Sequence, residues 1–278
     1  MRFTPTLLAA IAFLLAAIAF HTPVLADTAT DRRGETEFHD PAITHNPRDG
    51  MVKLYGAGGP DTAFRKVAEV WEARTGNTVE VVAGPESAWT KRAQADADIL
   101  WGTSEQSMTA FLLTYTSFDP NKVEPIFLRP AVIAVRAGNP KNIRSFEDLL
   151  KPGMRIIVTE GAGVYNTSGT GTWEDVAGRL GRLSDISRFR TNIVAYALGS
   201  GASYQQFGVK NADAWITWPN WPITKSDLDM IELAEDRVIY RDVNVVVSHQ
   251  ADPEAREFLE FLLSEEGQRI MATEGWRR

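Results

Sequence analysis

The feature that most constrains this fold is a strand–turn–helix–strand unit that occurs twice along the chain. In the first half, a short apolar run leads into a glycine-rich turn over 56–60, and apolar residues then recur at helical spacing until Gly76. In the second half, a strand over 155–159 leads into a Gly/Ser/Thr-rich loop over 160–172, and the same helical spacing runs to Gly181. This alternation is typical of mostly parallel sheets flanked by helices, so the pattern predicts an α/β fold with two lobes.

Two extended segments bracket the middle third of the chain, over 124–136 and 237–247. Segments that leave one α/β unit and return to it suggest a hinge made of two strands. We therefore predict a first lobe from residues 51–130 plus 242–278, and a second lobe from residues 131–241.

The N-terminal residues 1–26 have the pattern of a cleaved signal peptide. Arg2 supplies the positive start, residues 7–20 are unbroken apolar sequence, and Val24-Leu25-Ala26 fits the small-residue cleavage rule. The apolar run is shorter than the ~20 residues that a membrane span needs, which disfavours an uncleaved anchor. We expect export to the periplasm, and we expect the polar segment 27–50 to be a poorly ordered extension.

Composition excludes several function classes. The formal net charge is −7, so the chain has no basic field to hold a nucleic-acid backbone. Cysteine is absent, which excludes disulfides, thiol catalysis and Cys-based zinc sites, and four histidines argue against a His-rich metal site. The full dinucleotide fingerprint, the phosphate-binding loop and the Gly-x-Ser-x-Gly motif are all missing from the sequence. We expect no catalytic residue, no metal, no cofactor and no nucleic-acid partner.

Four loops share small residues and the backbone N–H groups at the start of a helix: 56–60, 102–104, 168–171 and 199–201. In a parallel sheet such loops lie at the carboxyl edge, where ligands bind, and helix N-termini favour anions. Singly, such a loop more often serves a turn or a helix cap. Together, the four predict a site for a small oxyanion.

Helix ends alone are too weak to hold such a ligand tightly. Each end contributes ~0.3–2 kcal/mol, and a micromolar complex needs about 8 kcal/mol. The two lobes must therefore converge on the ligand, or a cation must help. Arg129 and Arg241, both near the predicted hinge, are the candidate cations, and each either contacts the ligand or braces the hinge.

Three tryptophans cluster at Trp215, Trp218 and Trp221. The run around Trp215 is predicted to be a strand, so Trp215 and Trp218 should lie on opposite faces of it. We assign Trp215 to the core. Trp218 or Trp221, at the end of the strand, is expected to line the cleft, and Trp218 is included in the candidate site.

Ten short stretches between Val52 and Trp276 carry a family resemblance. They are Leu54-Tyr55-Gly56-Ala57-Gly58-Gly59-Pro60, Val82-Ala83-Gly84-Pro85, Ala97-Asp98-Ile99-Leu100-Trp101-Gly102-Thr103-Ser104-Glu105, Leu128-Arg129-Pro130, Ala137-Gly138-Asn139-Pro140-Lys141, Gly161-Ala162-Gly163, Gly169-Thr170-Gly171-Thr172-Trp173-Glu174-Asp175, Asp213-Ala214-Trp215-Ile216-Thr217-Trp218, Tyr240-Arg241-Asp242 and Phe261-Leu262-Leu263-Ser264-Glu265-Glu266-Gly267. In these stretches the chain resembles the periplasmic solute-binding proteins of the molybdate/sulfate-binding type, and most closely the accessory colonization factor family.

The resemblance implies a two-lobed, type II periplasmic-binding-protein fold that closes on its ligand. It also implies extracytoplasmic capture of a solute, usually for delivery to an ABC-type uptake transporter. Carried onto this sequence, the oxyanion-binding groups of the wider group fall on Gly58, Gly59, Thr103, Ser104, Ser168, Gly169, Thr170, Ser200 and Gly201. One departure is Asp61, whose carboxylate opposes an anion unless it points away from it.

Three functions remain open from the sequence. The first is a monomeric solute-binding protein for a sulfate-like oxyanion, or an organic acid with a similar head group, that serves an ABC transporter. The second keeps the fold but reports the ligand to a chemoreceptor or sensor kinase. The third is an exported hydrolase that uses Ser104 or Ser200, although no convincing base accompanies either serine.

Overall fold

The computed structural model describes residues 39–84, 86–160 and 171–278. The predicted signal peptide, residues 27–38 and the loop residues 161–170 lie outside this part of the chain. No helix in the described part is long and apolar enough to cross a membrane.

The described residues form ten strands and ten α-helices, with short 3-10 turns between some of them. The strands are β1 (Met51–Gly56), β2 (Thr78–Ala83), β3 (Ile99–Gly102), β4 (Glu124–Pro130), β5 (Val132–Arg136), β6 (Ile156–Glu160), β7 (Ile193–Leu198), β8 (Ala214–Thr217), β9 (Leu228–Glu232) and β10 (Tyr240–Val247). The helices are α1 (Asp61–Thr75), α2 (Thr90–Asp96), α3 (Glu105–Thr114), α4 (Phe146–Leu149), α5 (Thr172–Gly178), α6 (Leu183–Thr191), α7 (Ser200–Val209), α8 (Asn220–Thr224), α9 (Pro253–Leu263) and α10 (Glu265–Ala272).

The strands form two five-stranded sheets with equivalent strand topologies. The first sheet has the order β2-β1-β3-β10-β4, and the second has the order β7-β6-β8-β5-β9. In the first sheet β10 runs antiparallel to both neighbours, and in the second sheet β5 does the same, so four strands of each sheet share one direction. The predicted α/β fold with two mostly parallel sheets is confirmed.

Local sequence explains the helix that follows β1. The apolar residues at helical spacing, Phe64, Val67 and Trp71, are all buried and belong to the core of the first sheet. Gly76 ends the helix because its backbone takes φ 79°, a left-handed conformation that glycine adopts without strain. The helix therefore fixes the turn before it, at the carboxyl end of β1.

The chain passes between the sheets twice. It crosses from β4 to β5 at Ala131 and returns between β9 and β10, and the Ala131 N–H donates to the Ile239 carbonyl over 2.8 Å. The last two helices then pack on the first core through residues such as Phe258 and Met271. The first sheet is thus built from the early and final parts of the chain.

Residues 39–50 lie against the first sheet and its helices, where we expected a poorly ordered extension over 27–50. The His45 ring bonds to the Gln94 carbonyl (2.9 Å) and to the Ser248 hydroxyl (2.8 Å). The N–H groups of Asp49 and Gly50 both donate to Asp252 (3.1 Å each). These bonds occupy carbonyl and carboxylate groups that the end of α2 and the start of α9 would otherwise leave to solvent.

Candidate functional site

The strand directions bring the ends of both sheets to one place. β1, β3 and β4 run in the same direction and end at Gly56, Gly102 and Pro130, on the edge where β10 begins. One residue, Ala131, separates β4 from β5, and β5 is hydrogen-bonded to β8 with Val132 opposite Thr217. The residues just after β8 therefore lie beside this edge of the first sheet.

Arg129 lies at the centre of this junction. It is 2% exposed, and its guanidinium carbon is 4.6 Å from the ring centroids of both Trp218 and Trp276. Its Nη1 donates to the Oδ1 of Asn220, at 3.3 Å. Trp218 belongs to the core of the second sheet and Trp276 to the core of the first, so the guanidinium joins the two bodies.

The electrostatics of Arg129 favour a negative neighbour. Burial lowers the pKa of Arg129 to about 9, an effect that the Asp242 carboxylate opposes and the Arg241 cation reinforces. The group is still charged at neutral pH, because this pKa lies well above 7. An anion beside the guanidinium would stabilise this charged form and raise the pKa again.

Gly59 and Thr103 lie next to the guanidinium. A Cβ atom at Gly59 would be 3.2 Å from the Nη1 of Arg129 and 3.6 Å from the Cγ2 of Thr103, and the Gly59 φ is 134°. The loop after β1 can approach Arg129 this closely because residue 59 has no side chain. The Oγ1 of Thr103 is buried and has no hydrogen-bond partner in the described part of the chain.

The backbone N–H groups expected to hold the ligand are used within the protein. The Gly59 N–H donates to the Oδ1 of Asp61 (3.0 Å), so this carboxylate turns back onto its own loop. The N–H groups of Thr103 (2.9 Å) and Ser104 (3.1 Å) both donate to the Oγ of Ser107. The Ser104 Oγ in turn accepts from the Ser107 N–H and caps α3. These three N–H groups are therefore already bonded within their own loops, and buried side chains nearby supply further donors.

Two of these side chains are indoles. Trp218 and Trp276 are each 1% exposed, and the Nε1 atom of each has no hydrogen-bond partner among the described residues. Trp215 differs, since its Nε1 donates to the Oγ1 of Thr159 (3.0 Å) inside the core of the second sheet. The sequence-based assignment of Trp215 to the core is confirmed.

The candidates in the second half are placed at the carboxyl edge of the second sheet. Ser200 begins α7 and is half-buried, and Gly201 is exposed with open space around the position that a Cβ would occupy. Gly58 of the first loop is also exposed, and no atom lies within 4 Å of the place where its Cβ would be. Ser168, Gly169 and Thr170 lie outside the described residues.

Arg241 links elements of the two halves. Its Nη2 donates to the Oδ2 of Asp175 on α5, at 2.7 Å. Both residues line an open cavity of about 550 Å³ that is also bordered by Glu174, Arg179 and Tyr240. The cavity carries charges of both signs, and the ion pair spans it between β10 and α5.

The sequence did not indicate Asn220 or Trp276 as site residues. Asn220 is 91 positions from Arg129, and Trp276 follows the last helix. Neither lies in a glycine-rich loop, which is the feature that marked the candidates in the sequence. Two of the predicted residues, Arg129 and Trp218, are directly stacked, and Gly59 and Thr103 adjoin them.

Comparison with known proteins agrees with this architecture. A model of the family described as bacterial extracellular solute-binding protein matches residues 52–277. No curated protein sequence matches the chain. A solved structure of PEB3 bound to L-phospholactate is 39% identical, has a TM-score of 0.77, and covers 82% of this chain and 99% of that one. PEB3 is a protein of Campylobacter jejuni.

Two more distant structures share the fold alone. The sulfate-binding protein SubI of Mycobacterium tuberculosis is 17% identical, with a TM-score of 0.65 and coverage of 82% of this chain and 87% of that one. A periplasmic molybdate-binding protein of Azotobacter vinelandii is 15% identical, with a TM-score of 0.59 and coverage of 82% and 99%. These matches confirm the type II periplasmic-binding-protein fold and the resemblance found in the sequence. The chain belongs to the bacterial extracellular solute-binding protein family.

Proposed function

We propose that this protein captures a small oxyanion between its two lobes, either a sulfate-like ion or an organic acid with a similar head group. The observation that carries the proposal is the buried Arg129, whose guanidinium carbon is 4.6 Å from the rings of both Trp218 and Trp276 where the two sheets meet. Burying a cation is costly unless negative charge accompanies it, and a bound oxyanion adds to the negative charge that Asp242 provides.

The neighbouring side chains fit the same class of ligand. The Thr103 hydroxyl and the two indole N–H groups are hydrogen-bond donors without a partner in the described part of the chain. An oxyanion presents acceptors only, so it can accept from all three of these donors. PEB3, at 39% identity, is bound to L-phospholactate, which carries a phosphate and a carboxylate. This relative supports an organic acid with an oxyanion head group.

Among the loop residues, the hydroxyls of Thr103 and Ser104 and the loop at Gly58 and Gly59 would form the first-lobe side of the site. Ser168, Gly169, Thr170, Ser200 and Gly201 would face them from the second lobe. Ligand held by both sides favours the closed arrangement, because only that arrangement makes both sets of contacts. The proposed mechanism is capture and closure without any bond made or broken.

Isothermal titration tests the proposal with sulfate, molybdate, phosphate and L-phospholactate, and glycerol serves as an uncharged control. We expect heat from at least one anion and none from glycerol. In Arg129→Met the affinity should fall by about 100-fold, since a hydrogen-bonded charge is removed from a desolvated site. Arg136→Met is the matched control, because Arg136 bonds to the Ala212 carbonyl and lies over Phe207 in the second half. An Arg129→Met variant that binds like the wild type would contradict the proposal.

We further propose that the loaded protein serves an ABC-type permease, as is usual for this family. The test is reconstitution of the permease encoded beside its gene into proteoliposomes. ATP hydrolysis should rise only when both the protein and its anion are present. Stimulation of a neighbouring chemoreceptor or sensor kinase, with no effect on a permease, would favour the sensory alternative.

A further inference from the structure

We propose that the C-terminal segment, residues 274–277, is part of the ligand-binding site and that Trp276 supplies it with a hydrogen-bond donor beside Arg129. The inference rests on the proposed function and extends it to residues that neither the loops nor the sequence resemblance indicated.

The segment is held firmly at the junction. After α10, Gly275 turns the chain with φ 83°, and the Trp276 N–H donates to the Met271 carbonyl at 3.3 Å. Arg277 then pairs with Leu128 of β4, through N–O distances of 2.6 and 2.8 Å. Because Leu128 directly precedes Arg129, this pairing sets Trp276 beside the guanidinium.

The segment also contacts the second half of the molecule. Gly275 packs so closely on Pro219, the residue that follows Trp218, that a Cβ at position 275 would overlap the proline ring. On its other side the buried Glu274 binds Lys66 (2.7 Å) and the hydroxyl of Thr62, both on α1. The segment thus lies between the first turn of α1 and the end of β8, which are neighbours of the candidate site.

The two indole rings that pack on Arg129 restrict the directions from which a ligand can contact its guanidinium. Two indole rings lie against the guanidinium, each with its centroid 4.6 Å from the guanidinium carbon, and they limit the directions in which Arg129 can donate. Trp276 therefore helps to fix the direction in which Arg129 donates. The side chain is a positioning residue for the cation in addition to any contact of its own.

The indole nitrogen of Trp276 gives the second argument. It is buried, it can only donate, and no described residue accepts from it. The same is true of the Trp218 indole, which is equally close to Arg129, and the hydroxyl of Thr103, a residue that adjoins Gly59 as Arg129 does, is likewise without a partner among the described residues. Unsatisfied buried donors are rare in folded proteins, and three around one buried cation are explained together by a ligand that presents several acceptors.

The test compares Trp276→Phe with Trp71→Phe, using titration with L-phospholactate and sulfate. Phenylalanine keeps an aromatic ring over Arg129 but removes the N–H. Trp71 is a matched control, since it is also buried in the first core but packs on Phe258. We expect Trp276→Phe to bind about tenfold or more weakly than Trp71→Phe, which should bind like the wild type. The melting temperatures of the two variants without ligand should be similar. Equal affinities of the two variants would overturn the proposal.

A second measurement covers the case in which Trp276→Phe does not fold. Assigned indole ¹H–¹⁵N spectra of the unmodified protein should show the Trp276 signal moving on addition of L-phospholactate, while the Trp71 signal stays. A Trp276 signal unmoved at saturation would overturn the proposal. Failure of the proposed function looks different, because the wild type would then give no heat with any anion.

Discussion

At the residue scale, two buried ionisable side chains have different roles, one in proposed ligand binding and the other in holding the fold together. Arg129 is proposed to meet a ligand, whereas Asp98, fully buried, accepts from the backbone N–H groups of Lys53 (2.8 Å) and Asp252 (2.7 Å). Asp98 thereby ties the start of β3 to β1 and to the start of α9. Burial raises the pKa of Asp98 to about 6, although the two N–H donors oppose the shift.

This shift predicts a specific pH dependence of stability. The folded-state pKa of Asp98 is higher than its unfolded value, so the folded protein binds the proton more tightly. The free energy of unfolding contributed by this group therefore falls as the pH rises from about 4 to about 6. In Asp98→Asn that fall, about 2 kcal/mol, should be missing from urea unfolding curves measured across this range. The exposed Asp236→Asn should keep the wild-type profile. Parallel profiles for Asp98→Asn and the wild type would contradict the assignment.

At the scale of elements, the first turn of α3 binds backbone N–H groups of the loop before it, and so affects which donors of that loop are available to a ligand. Ser107 lies in the first turn, and its Oγ accepts from two successive N–H groups while donating to the Ser104 carbonyl (2.9 Å). A side chain of the helix thus accepts the hydrogen bonds of two N–H groups in the loop before it. In this loop the internal cap leaves the Thr103 hydroxyl, and not the N–H groups of Thr103 and Ser104, as the donor proposed for the ligand.

Ser107→Ala should separate the stability of this loop from its binding. Removal of the hydroxyl leaves the N–H groups of Thr103 and Ser104 without their acceptor, so the free energy of unfolding should fall by about 1–3 kcal/mol. Anion affinity should stay within about threefold of wild type or improve, because two donors become available beside the site. Thr109→Val, on the exposed side of the same helix, is the control for both measurements. A stable Ser107→Ala variant that loses its affinity would show that the hydroxyl serves the ligand and not the loop.

The elements were largely predictable from the sequence, but the full site was not. Hydrophobic spacing is a local property, so it located β1, α1 and the extended segments that form β4, β5 and β10 within a few residues of their observed bounds. The stacking of Trp276 on Arg129 depends on contacts between distant parts of the chain, which no local pattern records. The cap at Ser107 could have been predicted from the sequence, since Ser104 and Ser107 have the spacing of a capping box.

At the scale of the whole molecule, the two halves touch through several close contacts. One is the Arg241–Asp175 ion pair, which is partly exposed and so contributes ~0–1 kcal/mol. Another is the packing of Gly275 against Pro219, where there is no space for a side chain. The second contact should matter more for closure, because a steric clash is not screened by solvent.

Gly275→Ala should therefore hold the halves apart. Its Cβ would overlap Pro219, in addition to the strain of a φ of 83°. Gly153→Ala is a matched control, with the same φ of 83° and nothing within 4 Å. We expect Gly275→Ala to have a larger radius of gyration by small-angle X-ray scattering and a weaker anion affinity, whereas Gly153→Ala should lose only about 1–2 kcal/mol of stability. Equal scattering and affinity in the two variants would refute the role of this contact.

The return of the chain to the first sheet at β10 has a consequence for the order of folding. β10 is the strand between β3 and β4, so it completes pairings on both of its sides. The strands of the second sheet, by contrast, are consecutive from β5 to β9. As the polypeptide emerges from N- to C-terminus, the later-made sheet can assemble before the earlier-made one, whose unpaired edges must wait for roughly a hundred further residues. During that interval β3 and β4 lack the strand that pairs with both of them, and unpaired strand edges favour aggregation.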